Sequence, residues 1–144
     1  MKKVTMKIAV GLAMASVLAF TPAQAEENKK RDADYQRILL IDFKPGHKGA
    51  AMKIIKNYFQ KASMKVGSTM PITHHMMTGP WDMMLVWPMK HGMASTEWTS
   101  TAEGKKWNAA MAELAGGKEK AAAKWKEYQS HIARSSSAFS YTMK

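Results

Sequence analysis

Apolar positions recur along this chain with two different periods. In "YQRILLIDFK" (35–44) the β-branched, leucine and aromatic residues run together and stop at Pro45-Gly46, which predicts a first strand with an unbroken apolar centre. Over 47–67 the period lengthens. Ala51, Ile54, Ile55, Tyr58 and Ala62 fall on one helical face, and Gly67 is placed to stop the helix. Two strand-length runs follow, "MPITHHMMT" (70–78) and "DMMLVWPMK" (82–90), joined through Gly79-Pro80 as a hairpin. Ser100 and Glu103 have capping-box spacing before a helix whose stripe is Trp107, Ala110, Met111 and Leu114. Gly116-Gly117 interrupt it. A further helix over about 118–134 carries Ala121, Trp125, Tyr128 and Ile132 on one face, and "SSSAFSYTMK" (135–144) alternates as a last strand.

The predicted order is β-α-β-β-α-β with the second helical arm split in two. It matches an α+β, ferredoxin-like sandwich over residues 35–144, with one antiparallel sheet and helices on one face. Strands 1 and 3 are apolar on both sides, because Met84 and Val86 alternate with Met83, Leu85 and Trp87. A second apolar sheet face needs cover, and a second copy of the chain is the simplest source, so a homodimer is expected.

The segment before residue 35 adds an address. Lys2, Lys3 and Lys7 precede an apolar run from Ile8 to Phe20 and the small-x-small end "AQA" at 23–25, the three parts of a secretory signal peptide cleaved after Ala25. The run is shorter than a membrane span requires, so no transmembrane segment is expected after cleavage. The chain has no cysteine, hence no disulfide framework and no lipid-attachment thiol. Residues 1–25 hold three lysines and no acid, which leaves a 119-residue mature chain with 19 basic and 11 acidic residues, expected in the periplasm. Residues 26–34 read as a flexible leader. The lysines are interleaved with apolar helical stripes, as on solvated helix faces. This pattern and the compartment argue against a nucleic-acid partner.

The split βαβ order, the "TGPWDMMLVWPM" hairpin with Gly79, Trp81 and Asp82, and the tryptophan-bearing broken second arm resemble the dimeric α+β barrel superfamily, in particular its NIPSNAP-like, EthD-like and antibiotic-biosynthesis-monooxygenase-like members. The resemblance spans residues 35–143. It implies two sheets closed into a barrel across a dimer and, as in many of these families, a small-ligand cleft between sheet and helices. The superfamily contains cofactor-free oxygenases, heme-degrading oxygenases, isomerases and members without known activity, so the fold does not specify a reaction. Its heme-degrading members use an asparagine, a tryptophan and a histidine. Strand 1 here lacks an asparagine, and that set is not carried over.

The stretch "THHMMTGPWDMMLVWPMKHG" (73–92) concentrates the candidate chemistry, with three of the five histidines and two of the five tryptophans. Neighbouring strand residues face opposite ways, so His74 and His75 cannot both reach one metal without a bulge. A hairpin loop with an even number of residues would put His74, Met76, Met83, Leu85 and Trp87 on one face and His75, Met77, Asp82, Met84 and Val86 on the other. The expected ligand-binding residues are His74, Met76, Trp87 and Trp98, with His75 and Asp82 as secondary candidates. The expected ligand is a small, partly apolar molecule held between sheet and helices, and no cofactor or metal is assigned. A cofactor-independent monooxygenase-like enzyme using His74 or His75 for proton transfer is one alternative. A Met/His copper binder is another, since thioethers and imidazoles suit Cu(I). Methionine is used along the whole chain, at Met52, Met64, Met111 and Met143 as well, which is how a core filler is distributed. Asp82 favours a turn-capping role, His47 and His131 surface or cap positions, and Trp98 and Trp107 the core wall.

Overall fold

The computed structural model describes residues 31–144. The expected signal peptide (1–25) and residues 26–30 of the leader lie outside the described residues. The chain follows the expected element order: β1 (Ala33–Phe43), α1 (Lys48–Ile54), a π turn (Ile55–Phe59), α2 (Gln60–Val66), β2 (Ile72–His75), β3 (Met83–Pro88), a 3-10 segment (Gly92–Glu97), α3 (Ala102–Ala115), α4 (Lys118–Ser130) and β4 (Ile132–Met143). It is an α+β structure with one four-stranded sheet in the order β2-β3-β1-β4, every neighbouring pair antiparallel. Among the described residues no helix is long and apolar enough to cross a membrane.

Local chemistry explains some boundaries. Gly67 ends α2 in the left-handed region at φ +63°. Three boundaries differ from expectation. β1 begins at Ala33, inside the expected leader, because Ala33 and Asp34 pair with Met143 and Thr142 of β4. α3 is capped by Thr101, whose hydroxyl accepts the Gly104 N–H at 3.0 Å; Ser100 is not the cap, and Glu103 instead accepts from the Thr69 N–H. α4 stops at Ser130, so Ile132 opens β4 rather than closing the helix.

The core lies between the sheet and α1–α2 with α4. Ile41 and Met83 are fully buried, and Phe43, Ala51, Ile54, Leu85 and Tyr128 join them. A second cluster, Ala62, Ala110 and Met111, locks α2 to α3. The extra residue in the π turn lets both Tyr58 and Phe59 reach the core side. Phe59 then meets Trp107, Trp125 and Tyr128 with centroids 4.9–5.9 Å apart. Trp107 walls the second cluster and donates to Ser63 Oγ at 2.9 Å. Trp98 does not wall the core. It is about half exposed, and Leu114 and Trp125 also stand partly in solvent.

Candidate functional site

β3 alternates as its sequence predicts: Met83 and Leu85 are buried toward the helices, while Met84 and Val86 occupy the other face. β2 departs from expectation. His75 pairs with Met83 and His74 with Met84, one residue away from the predicted register. A one-residue slip moves every side chain of a strand to the other face. His74 and Ile72 therefore share the open face with Met84 and Val86, and His75 shares the helix side with Met83 and Leu85. His74 and Trp87, expected together, lie on opposite sides of the sheet.

The cause of this register sits at Asp82. Its N–H donates to Ile41 O at 2.9 Å and its carbonyl accepts from Met76 N–H at 2.9 Å, so β1, β3 and the end of β2 are tied at one residue. Its carboxylate accepts from the Phe43 N–H (3.0 Å) through Oδ2 and from Lys48 Nζ (3.1 Å) through Oδ1. The Phe43 N–H first, and then Lys48, hold the Asp82 carboxyl below its ordinary 3.8. Both oxygens are engaged and the group is a weakened base, so Asp82 acts as a clamp on the hairpin.

Further polar contacts gather at this end of the sheet. Arg134 donates to Asp42 (2.9 Å) and to Pro80 O (2.7 Å), and stacks over Trp81 at 4.7 Å. His47 and His131 meet Nδ1 to Nδ1 at 2.9 Å, which requires one donor and one acceptor. His131 Nε2 is buried without a partner among the described residues. Among the described residues no three His, Cys, Asp or Glu side chains converge as metal ligands would.

Of the other expected site residues, Met76 and Met77 flank a shallow depression of about 370 Å³ over the hairpin loop, with Asp42 and Arg134 beside it. Trp98 packs edge-on against His91, 4.9 Å between centroids. A larger open groove of about 750 Å³ runs between α3 and α4, with Trp107, Met111 and Trp125 in its wall and Lys105 and Lys118 as its titratable groups.

Trp87 leads to an arrangement the sequence reading missed. It lies opposite Arg37 of β1, and Arg37 lies opposite Phe139 of β4. Directly paired residues of antiparallel strands share a face. This row continues the helix side of the sheet beyond the part the helices cover. Phe139 is 49% exposed, Arg37 is exposed, and Trp87 is half-buried. The next row holds Tyr35 and Tyr141, rings 5.9 Å apart, with the Arg31 guanidinium 4.2 Å above Tyr141. Gly92, at φ +56°, brings the 3-10 segment against Tyr35: a Cβ there would sit 3.3 Å from the ring. The strap carrying His91 and Trp98 thus borders the aromatic floor. Once β1 and β4 are paired in register, "YQR" and "FSY" form this surface; neither stretch signals it alone.

No protein-family model and no curated protein matches the sequence. Among solved structures the chain is similar to a NIPSNAP family protein from Agrobacterium tumefaciens strain C58, with TM-score 0.50 and 9% identity over 82% of this chain and 92% of that one. A second NIPSNAP family protein from that strain, of unknown function, aligns with TM-score 0.49 and 11% identity over 80% and 93% of the two chains. The first likeness supports a NIPSNAP-like α+β fold, as the hairpin and broken arm suggested. At 9% identity it speaks for the fold alone, and no site residue is carried across.

Proposed function

We propose that this chain, with its NIPSNAP-like α+β fold, is an exported protein that forms a ferredoxin-like dimeric barrel and binds a small, partly apolar molecule on the helix side of its sheet, beside the helices rather than beneath them. The observation that carries the binding role is the uncovered floor on the helix side, where Trp87, Phe139, Tyr35 and Tyr141 stand beside the Gly92–Glu97 strap. Aromatic walls with few polar groups are the usual lining of a small-molecule site. Asp82 is committed to the hairpin clamp and His74 stands on the far side of the sheet, so these residues bring no general base to the floor.

The dimer would use the opposite face. Ile38, Leu40, Met84 and Val86 form its half-buried centre, and Ile72, 62% exposed, extends it on β2. A contiguous apolar sheet face of this kind is a usual site of protein–protein contact. Burying it against a second copy leaves the helix-side floor open. The basic leader ending in "AQA" supports export, with Glu26 as the mature N-terminus.

Native mass spectrometry of the full chain expressed in a Gram-negative host and purified from periplasmic extract tests these elements together. The expected species is a dimer of chains beginning at Glu26 and carrying a small-molecule mass that Phe139→Ser removes. Val86→Lys should convert it to a folded monomer, since Val86 lies on the open face. A bare monomer retaining residues 1–25 would overturn the reading.

A further inference from the structure

We propose that the helix-side floor is a receptor for a small planar carboxylate, with Arg37 gripping the carboxylate and Trp87 and Phe139 flanking the rest of the ligand. This rests on the binding role proposed above and specifies its ligand class. Strands lie about 4.8 Å apart, so the row Trp87–Arg37–Phe139 is about 10 Å wide, the breadth of a two-ring aromatic.

Arg37 is out of pattern. On this face of β1 it follows Phe43, Ile41 and Leu39, all apolar, and it stands between two aromatic residues rather than beside an acid. Its Nε donates to Ser137 Oγ over a long 3.4 Å, which turns the guanidinium toward β4. Among the described residues no carboxylate pairs with it. Of the described acids on or before β1, Asp42 takes Arg134, and Asp32 and Asp34 take Lys144 at 3.7 and 3.3 Å. The guanidinium therefore keeps its charge and the outer edge of its fork for another partner. That fork presents two parallel N–H donors at the spacing of a carboxylate's oxygens, a match no lysine offers.

The surroundings suit such a ligand. Ser135 and Ser137, on the helix side opposite Ile41 and Leu39, are exposed and small, so the edge strand is bare next to the guanidinium. Arg31 over Tyr141 adds a second positive charge in the next row. A neutral apolar ligand would use the rings and leave both charges unanswered. A carboxylate on an aromatic body uses both.

The test uses the mature protein and two probes of equal shape, 2-naphthoate and neutral 2-naphthamide, with affinity read by calorimetry and tryptophan fluorescence. The naphthoate should bind at least about ten-fold more tightly than the amide, the difference expected between charge-assisted and neutral hydrogen bonds. Arg37→Gln should remove that preference, Arg37→Lys should restore only part of it, and Phe139→Ala should weaken both probes, all with unchanged circular dichroism. Equal binding of both probes, lost in Phe139→Ala and indifferent to Arg37→Gln, overturns the carboxylate while leaving the apolar site standing. Binding of neither probe overturns both. Should Arg37→Gln fail to fold, the comparison of the probes on the native protein and on Arg37→Lys decides.

Discussion

Replacing Asp82 with alanine removes two acceptors at the point where three strands are tied. The Phe43 N–H, 3.0 Å from Oδ2, belongs to a residue only 5% exposed, so it would be left buried without its partner, at a cost of about 1–3 kcal/mol. The Lys48 contact is long and its two side chains are 40% and 32% exposed, so after solvent screening it adds at most about 1 kcal/mol. Asp82→Ala should therefore destabilise the fold by about 1–4 kcal/mol. Asp82→Asn keeps an oxygen for the Phe43 N–H and should cost about 1 kcal/mol, the loss of charge assistance. The assay is urea denaturation followed by far-ultraviolet circular dichroism at one fixed protomer concentration, with a common slope for all variants. Acid supplies a second reading. The folded carboxyl titrates below the unfolded value of 3.8, so its contribution is full above that value and is lost as pH falls through the lower folded one. The gap between wild type and Asp82→Asn should stay level from pH 7 to about 5 and shrink below about pH 4. A shift under about 0.5 kcal/mol for Asp82→Ala, equal losses for Ala and Asn, or a gap that persists in acid would refute the clamp.

Met83→Ala should cost about 2–5 kcal/mol by denaturant titration, since Met83 is fully buried against Ile41, while Met77→Ala, at a position 97% exposed, should stay within about 0.5 kcal/mol. Thr101→Ala should lower stability by about 1 kcal/mol and Ser100→Ala should leave it unchanged, which the thermal midpoints of the two variants check.

The helix that spans α1 and α2 was legible because its apolar stripe is a local period; Ala51, Ile54 and Ala62 are buried as the spacing requires. The capping box misled by one residue, since Ser100 and Thr101 offer the same hydroxyl and only the chain's approach to α3 selects between them. The candidate site was half legible. Trp87 does stand on the floor that Arg37 and Phe139 complete, but those two residues lie 102 positions apart in sequence and are brought together by pairing alone. Sequence alternation places His74 on the wrong side because a loop length does not reveal which residue opens the pairing.

By itself the sequence determined everything carried by a local period or a local steric preference: the order of elements, the alternation within β3, the stop at Gly67, and the apolar character of both faces of β1. How those alternating patterns are set against one another depends on long-range pairing. A strand's two faces follow from the tetrahedral Cα, but which face meets which neighbour depends on the register between strands. Here the Asp82 contacts to Ile41 and Phe43, 39 or more positions away along the chain, tie β3 to β1, and its carbonyl, accepting from the Met76 N–H, ties the end of β2 to β3.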